Sequence, residues 1–479
     1  MHAPPARKLI VAACCAVLVC ISACAHTSPP ATEQLQSFHE FTLRNGIRVV
    51  VRQNPMSRMH SIVLNIKGGT GAVAPGKAGL DPIALQLMCS ASERYPDTVR
   101  RDIIKRTSSA IQARSNLDFA TIQLQTIDTY FAETFDLFLD LIVRPAFPPE
   151  LFRELVTNAI NAYHSELTDG YARASRAANQ VFFEGHPYLA YLQTPATLTG
   201  LTLQDVQDFY RRTLVAQRLT IFASGNFNLD ALQERLNETV GSLPEGSPAP
   251  AVPARFENSG RARLLLDGTA SLSPDAAYLR GNVAIIPPNH PDYYALELAG
   301  RVLTDIMNDI LRTRNALVYS AWAGMFNKRA NFGTLAAYRT NDPLRALELT
   351  AAAIDVAAQG KSVSPFSQKD TPGIYIDIDK ALGFYKVSFS TEYFSGIQDN
   401  AAVALRMATA YNTHGDYRHF LTSTDMVTRI SANDIVRVVN RYLKQGHITW
   451  ALSAHPDTIT ALKKNSAALP QYEIVTLPQ

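Results

Sequence analysis

Cysteine is scarce in this 479-residue sequence: of Cys14, Cys15, Cys20, Cys24 and Cys89, four lie within the first 24 residues. A disulfide framework for the body of the chain is therefore excluded, because Cys89 has no intrachain partner once the N-terminal cysteines are set aside. An excess of charge of one sign is also missing, with 45 Lys plus Arg against 42 Asp plus Glu and a formal net charge of +3. That balance offers no basic stripe for nucleic acid or for an anionic membrane surface. After the N-terminus there is no apolar run long enough for a permanent membrane-spanning helix. What is present is 47% hydrophobic residues over a length that calls for at least two domains with sizeable cores.

The N-terminus reads as an address. Arg7 and Lys8 precede an apolar run from Leu9 to Cys20, then Ile21-Ser22-Ala23-Cys24 and the polar His26-Thr27-Ser28-Pro29-Pro30. The run is too short to span a bilayer permanently. Small residues just before a cysteine resemble a bacterial lipoprotein signal, which makes residues 1–23 a signal peptide, Cys24 the lipidated first residue and 24–37 a tether. The expected location is the bacterial cell envelope, with the exported chain held to a membrane by acyl chains. Processing removes Arg7 and Lys8 and leaves a net charge of +1.

The chain also repeats itself. Thr199-Gly-Leu201 with Asp205-Val206, Arg212, Leu214, Leu219-Thr220 and Ser224 recurs as Thr428, Ile430, Asp434-Ile435, Arg441, Leu443, Ile448-Thr449 and Ser453, a constant 229 residues on. Each copy reads as a helix opened by an acidic residue, which suits the helix dipole, followed by a strand. A second anchor, Thr126 to Ala132 against Thr340 to Ala346, is offset by 214. The mismatch of 15 places extra residues in the second half, at the Ser- and Pro-bearing stretch 361–372. Strands at Leu43–Gln53, after an Asn45-Gly46 turn, and at Ser61–Lys67 suggest an opening hairpin. Pro244, Pro248, Pro250 and Pro253 mark a linker at 244–258, between domains at 38–243 and 259–479.

At this point a family likeness appears. Leu43-Arg-Asn-Gly46-Ile-Arg-Val-Val, then Lys67-Gly-Gly69, then Gly76-Lys77-Ala78-Gly79-Leu80 at the head of a helix, with Gly185-His186-Pro187-Tyr188 farther on, resembles the pitrilysin/insulinase family of inverted zinc peptidases. The resemblance implies an α+β fold in α/β layers: two homologous halves, each a mostly antiparallel sheet packed with helices, enclosing a chamber. It also implies H-x-x-E-H on the helix after Gly79, with two histidines on zinc, a glutamate as general base and a further glutamate ligand on a later helix. The residues at those positions are Pro82, Leu85, Gln86 and Ala159, so catalysis and zinc binding by this chain are not expected. Read without the family, Asp81 to Met88 is a good buried helix start with Asp81 as its N-cap.

His164-x-Glu166 and His414-x4-His419 lack metal-ligand spacing, His186 reads as a turn residue, and Cys89 reads as a buried small hydrophobe. One feature that the resemblance assigns to substrate is kept. Leu311-Arg312-Thr313-Arg314-Asn315-Ala316-Leu317-Val318-Tyr319 is similar to the segment whose arginine and tyrosine hold substrate backbone opposite the zinc, and these are donors suited to a peptide carbonyl or carboxylate. The family's substrate-pairing edge strand corresponds to Ala110–Ser115, with Gln112 at its polar position.

The reading that follows is a non-catalytic subunit that binds peptide for a homologous zinc-bearing partner, zinc being expected only in that partner. The alternative is a stand-alone peptide- or protein-binding lipoprotein with a relic peptidase fold.

Overall fold

Short runs of β-branched and aromatic residues, such as Arg48–Gln53 and Phe119–Ile127, form strands whose buried residues face helices, and two six-stranded sheets result. The computed structural model describes residues 37–257, 260, 262–367, 371–464, 469 and 471–475. The signal peptide, Cys24 and all of the tether but its last residue lie outside them.

In the first half the elements are β1 (Phe38–Thr42), β2 (Arg48–Gln53), β3 (Met59–Lys67), α1 (Leu80–Met88), α2 (Asp97–Thr107), β4 (Ala110–Ser115), β5 (Phe119–Ile127), α3 (Phe131–Val143) and α4 (Pro149–Glu166). Then come α5 (Gly170–Phe182), α6 (Pro195–Thr199), α7 (Leu203–Thr213), β6 (Leu219–Gly225) and α8 (Leu229–Glu238). Residues 244–253 form neither helix nor strand.

The second half runs β7 (Arg263–Gly268), β8 (Ala277–Ala284), α9 (Tyr293–Met307), β9 (Val318–Met325), β10 (Phe332–Thr340), α10 (Pro343–Ala358), β11 (Lys361–Val363) and β12 (Tyr375–Asp377). It ends with α11 (Ile378–Ser395), α12 (Asn400–His414), α13 (His419–Thr428), α14 (Ala432–Val438), β13 (Thr449–Ala454), α15 (Pro456–Lys464) and β14 (Glu473–Val475). After α9 the chain continues as a π-helical segment, Asn308–Arg314.

The strand orders are β1-β2-β6-β3-β5-β4 and β14-β7-β13-β8-β10-β9. Without the first strand of each, the two orders correspond strand for strand. In both sheets the second strand pairs in parallel with its third, β2 with β6 and β7 with β13, and the rest of the shared five pair antiparallel. The repeated helix starts also match: Thr202 and Asp205 close a capping box on α7, and Ser431 and Asp434 close the same box on α14. The extra residues of the second half form the β11–β12 hairpin between α10 and α11.

Two local expectations are corrected. The Asn45-Gly46 turn joins β1 to β2, but β2 does not pair with β3, because β6 lies between them. All seven residues of β6 are buried, so the sheet places it centrally rather than leaving an apolar strand at an edge. The N-cap of α1 is Gly79, at φ 96°, where a Cβ would come within 2.7 Å of Leu198. Asp81 instead lies in the first helical turn, buried against the Ser115 hydroxyl that donates to it, and burial pushes its carboxyl up to about 6.

Each half lends a helix to the other. α5 lies across β8 and β13, and α12 lies across β3 and β6. An asparagine pair marks each crossing: Asn282 Nδ2 donates to Asn179 Oδ1 at 2.9 Å, and Asn412 Nδ2 donates to Asn65 Oδ1 at 2.6 Å. Around them Ala177, Ala178 and Val181 bury Leu265 and Ala451, while Met407 and Ala408 bury Val63 and Phe222. The seam between the halves is thus a third region of apolar burial beside the two main cores.

Candidate functional site: a pocket beside Pro82 and an exposed arginine–tyrosine pair

Helix α1 is anchored by apolar side chains on one side and by the turn at Gly79 at its head. Leu85, only 2% exposed, belongs to the first core, and the half-buried Ala159 of α4 packs against the same core. Pro82 lines a pocket with Gly79, Ser115, Glu166, Arg176 and Gln193. Gln86 is exposed. Of these four positions only Gln86 carries a side-chain nitrogen or oxygen, so the set does not fit zinc, which takes three or four N, O or S ligands.

The carboxylate beside the pocket is already engaged. Glu166 lies 3.6 Å from Arg176, whose guanidinium also donates to the Gln193 carbonyl and stacks over the Tyr163 ring at 4.7 Å. Among the described residues, no group of three or more His, Cys, Asp or Glu side chains is placed to hold a metal ion.

Arg312 and Tyr319 are brought together on the edge of the second sheet. Arg312 sits in the π-helical segment and Tyr319 on β9, with the guanidinium carbon 5.9 Å from the ring centroid. Asn308 fixes this geometry by clasping both backbone polar groups of one β9 residue, donating to the Ala321 carbonyl at 2.6 Å and accepting from the Ala321 N–H at 3.0 Å. The neighbouring Arg314 is held inward by Asp309 at 2.6 Å. Tyr319 is 69% exposed, an unusual place for a large aromatic ring.

Gln112 projects from β4, the last strand of the first sheet, where its Oε1 accepts from Arg114 at 3.2 Å. Beyond β4 no strand is paired among the described residues. Arg312 and Tyr319 therefore share one sheet edge, while Gln112, Pro82, Leu85, Gln86 and Ala159 belong to the other half.

Residues 200–369 match the family model described as the peptidase M16 inactive domain. A curated protein of Helicobacter pylori, the non-peptidase homolog YmxG, is 19% identical over 209 residues, which span 43% of this chain and 48% of that relative, about half its length. The fold is similar to the peptidase M16 inactive domain from Pseudomonas fluorescens, with a TM-score of 0.75 at 14% identity over 87% of this chain and 98% of that one. It is also similar to the first half of the periplasmic protease PqqL from Escherichia coli, with a TM-score of 0.66 at 13% identity over 93% and 99%.

Over residues 200–369 the chain thus resembles the peptidase M16 inactive domain, and it shares that domain's fold.

The remaining sequence candidates have structural places. His186 accepts from the Tyr188 N–H at 3.2 Å and its Nε2 lies 3.0 Å from the Pro253 carbonyl, so it is a turn residue that also touches the linker. Cys89 is buried, which pushes its thiol up to about 12. His414 and His419 stack face to face at 3.6 Å, an arrangement that does not converge their nitrogens on one ion.

Two arginine–tyrosine stacks escaped the reading of the sequence. Tyr163 with Arg176 in the first half corresponds to Tyr393 with Arg406 in the second, where the guanidinium lies 5.6 Å from the ring centroid. Both residues of the second pair stand 230 positions after those of the first, one residue off the repeat's constant 229, so that offset did not align them.

Proposed function

We propose that this chain is the peptide-holding, non-catalytic subunit of a two-chain pitrilysin-type peptidase, exported and lipid-anchored through Cys24, whose zinc resides in a homologous partner. The observation that carries this reading is the exposed Arg312–Tyr319 pair on a sheet edge of a chain whose former zinc positions bear no suitable ligands. A guanidinium held over a phenol presents N–H and O–H donors to a peptide carbonyl or terminal carboxylate without the entropy loss of ordering them on binding. The likeness to one half of a longer protease supports the idea that such a unit works beside a second one. The outer edge of β4 around Gln112 adds a place where an extended peptide gains main-chain hydrogen bonds, a capacity that needs no catalytic side chain.

Affinity isolation of the native lipoprotein, with mass spectrometry of its partners and zinc and peptidase assays on the eluate, tests the reading. A co-eluting zinc-bearing homologue with activity supports it. Replacing Arg312 by Ala is then expected to lower peptide turnover by the assembled pair about tenfold, the size of one lost charged hydrogen bond, without dissociating it. Unchanged kinetics would remove Arg312 from the site. Isolation of the chain alone and inert would favour a stand-alone binding lipoprotein, in keeping with the non-peptidase description of its Helicobacter pylori relative.

A further inference from the structure

The pocket beside Pro82 has a counterpart in the second half, built from the corresponding elements. α9, the end of β9, α11, α12 and α13 enclose a cavity of about 260 Å³. Aromatic rings form much of its wall, among them Tyr294, Phe389, Tyr393 and Phe420. Glu297, Arg406 and His414 supply its polar character.

Several of these polar groups lack what a protein interior normally gives them. Tyr393 is 8% exposed and its buried hydroxyl has no hydrogen-bond partner; nor has the buried Nδ1 of His414. Ser423 lies near enough to the Tyr393 hydroxyl to act on its titration but out of hydrogen-bonding geometry, while it accepts from the Tyr294 hydroxyl at 3.1 Å and donates to the His419 carbonyl at 3.1 Å. Interiors rarely tolerate such orphans, since a buried polar group without a partner has given up its hydrogen bonds to water for nothing in return.

The two charges in the pocket are also unmatched. Glu297 accepts from the Tyr293 hydroxyl at 2.9 Å, and burial pushes its carboxyl up to about 6. The nearby cation Arg301 is bonded to Glu392 at 2.7 Å instead. Arg406 lies over the Tyr393 ring and makes no ion pair among the described residues.

We infer that this cavity binds a free aromatic α-amino acid, its ammonium on Glu297, its carboxylate on Arg406 and its ring among Phe389, Tyr393 and Phe420. A zwitterion supplies one charge of each sign, which is what this pocket leaves unpaired, and its polar atoms give Tyr393 and His414 their missing partners. The site is distinct from the Arg312–Tyr319 pair and does not depend on a partner chain.

Isothermal titration of the mature chain with L-phenylalanine tests the assignment, beside 3-phenylpropionate, which lacks the ammonium, and phenethylamine, which lacks the carboxylate. Saturable one-to-one binding is expected, weakened about tenfold or more by either amputated analogue and by Glu297→Gln or Arg406→Gln, as for the loss of one charged hydrogen bond. Tyr393→Phe, which removes a single oxygen and preserves packing, is expected to weaken binding a few fold. Absence of saturable binding would mean that the cavity holds only water, and binding indifferent to Glu297→Gln and Tyr393→Phe would place the ligand elsewhere; either result overturns the inference.

Discussion

The first and second halves share a strand order, a capping box and an exchanged helix, yet their corresponding pockets are finished in opposite ways. In the first half Arg176, with its side chain 11% exposed, stacks on Tyr163 and closes onto Glu166 and the Gln193 carbonyl, so the polar groups satisfy one another. In the second half Arg406 stacks on Tyr393 but is exposed, and a buried acid and two orphan polar atoms remain beside it. A duplicated backbone fixes where a pocket lies, and the side chains decide whether it is internally satisfied or left with unmet hydrogen bonds. The absence of zinc ligands leaves α1 intact for the same reason: Leu85 belongs to the core, and the helix is held by Ile83, Leu85, Leu87 and Met88 rather than by a metal.

The comparison breaks most severely at the heads of the exchanged helices. Gly170 opens α5 beneath the Tyr278 ring, where a Cβ would come within 2.2 Å of a ring carbon. Asn400 opens α12 with a side chain that donates to the Met59 carbonyl at 2.6 Å and the Ser57 hydroxyl at 2.8 Å, and accepts from Ser224 at 3.0 Å. Gly170→Leu is expected to destabilise the chain by about 3 kcal/mol through overpacking against the opposite half. Asn400→Gly should cost about 2 kcal/mol through buried partners left unpaired. Urea titration reads both as midpoint shifts at unchanged slope. A Gly170→Leu variant as stable as the parent would mean that α5 is not pinned to the second sheet.

A smaller effect separates the two arginine–tyrosine stacks. Arg176→Ala removes a hydrogen bond to a carbonyl, an ion pair and a stacked ring from a nearly buried site, and is expected to cost about 2 kcal/mol. Arg406→Ala, at an exposed position without an ion pair, should stay within about 0.5 kcal/mol of the parent. Equal losses would mean that both pockets are closed by their arginines and would erase the contrast drawn above.

How much of this was legible beforehand depended on the range of the interaction concerned. The repeat was visible because capping residues and strand patterns are local: Asp205 and Asp434 each bind the backbone three residues back. Arg312 and Tyr319 were picked out by the family likeness rather than by any local pattern, and the fold places the guanidinium 5.9 Å from the ring centroid. The place of β6 between β2 and β3 was not, since strand order follows from which strand is buried on both faces, and that emerges only when distant segments assemble. The helix cap was missed because Asp81 looks like an N-cap in sequence, whereas the packing of Leu198 against Gly79 decides the start of α1. Helix exchange had no sequence signature beyond the two asparagine pairs, whose members lie 103 and 347 residues apart.

The capping boxes provide the finest test of equivalence. Asp205 takes hydrogen bonds from Thr202 and from Lys77 at 2.8 Å; Asp434 takes them from Ser431 and from Arg437 at 3.0 Å. Replacing either acid by Ala should cost about 1 kcal/mol at neutral pH. The hydrogen bonds from Ser431 and Arg437 hold Asp434 at about 2, and Asp205 is likewise lowered, although burial opposes it. A carboxyl whose folded value lies below its ordinary value near 4 stabilises the fold above that ordinary value and loses this contribution as pH falls through the folded one. Thermal unfolding should therefore show the gap between parent and Asp434→Ala in full at pH 5, narrowing from about pH 4 toward pH 2. The Asp205→Ala gap should narrow in the same direction. A gap that persists undiminished in acid would assign the cost to packing at the helix start rather than to the carboxylate, and the two caps would then be alike in sequence but not in mechanism.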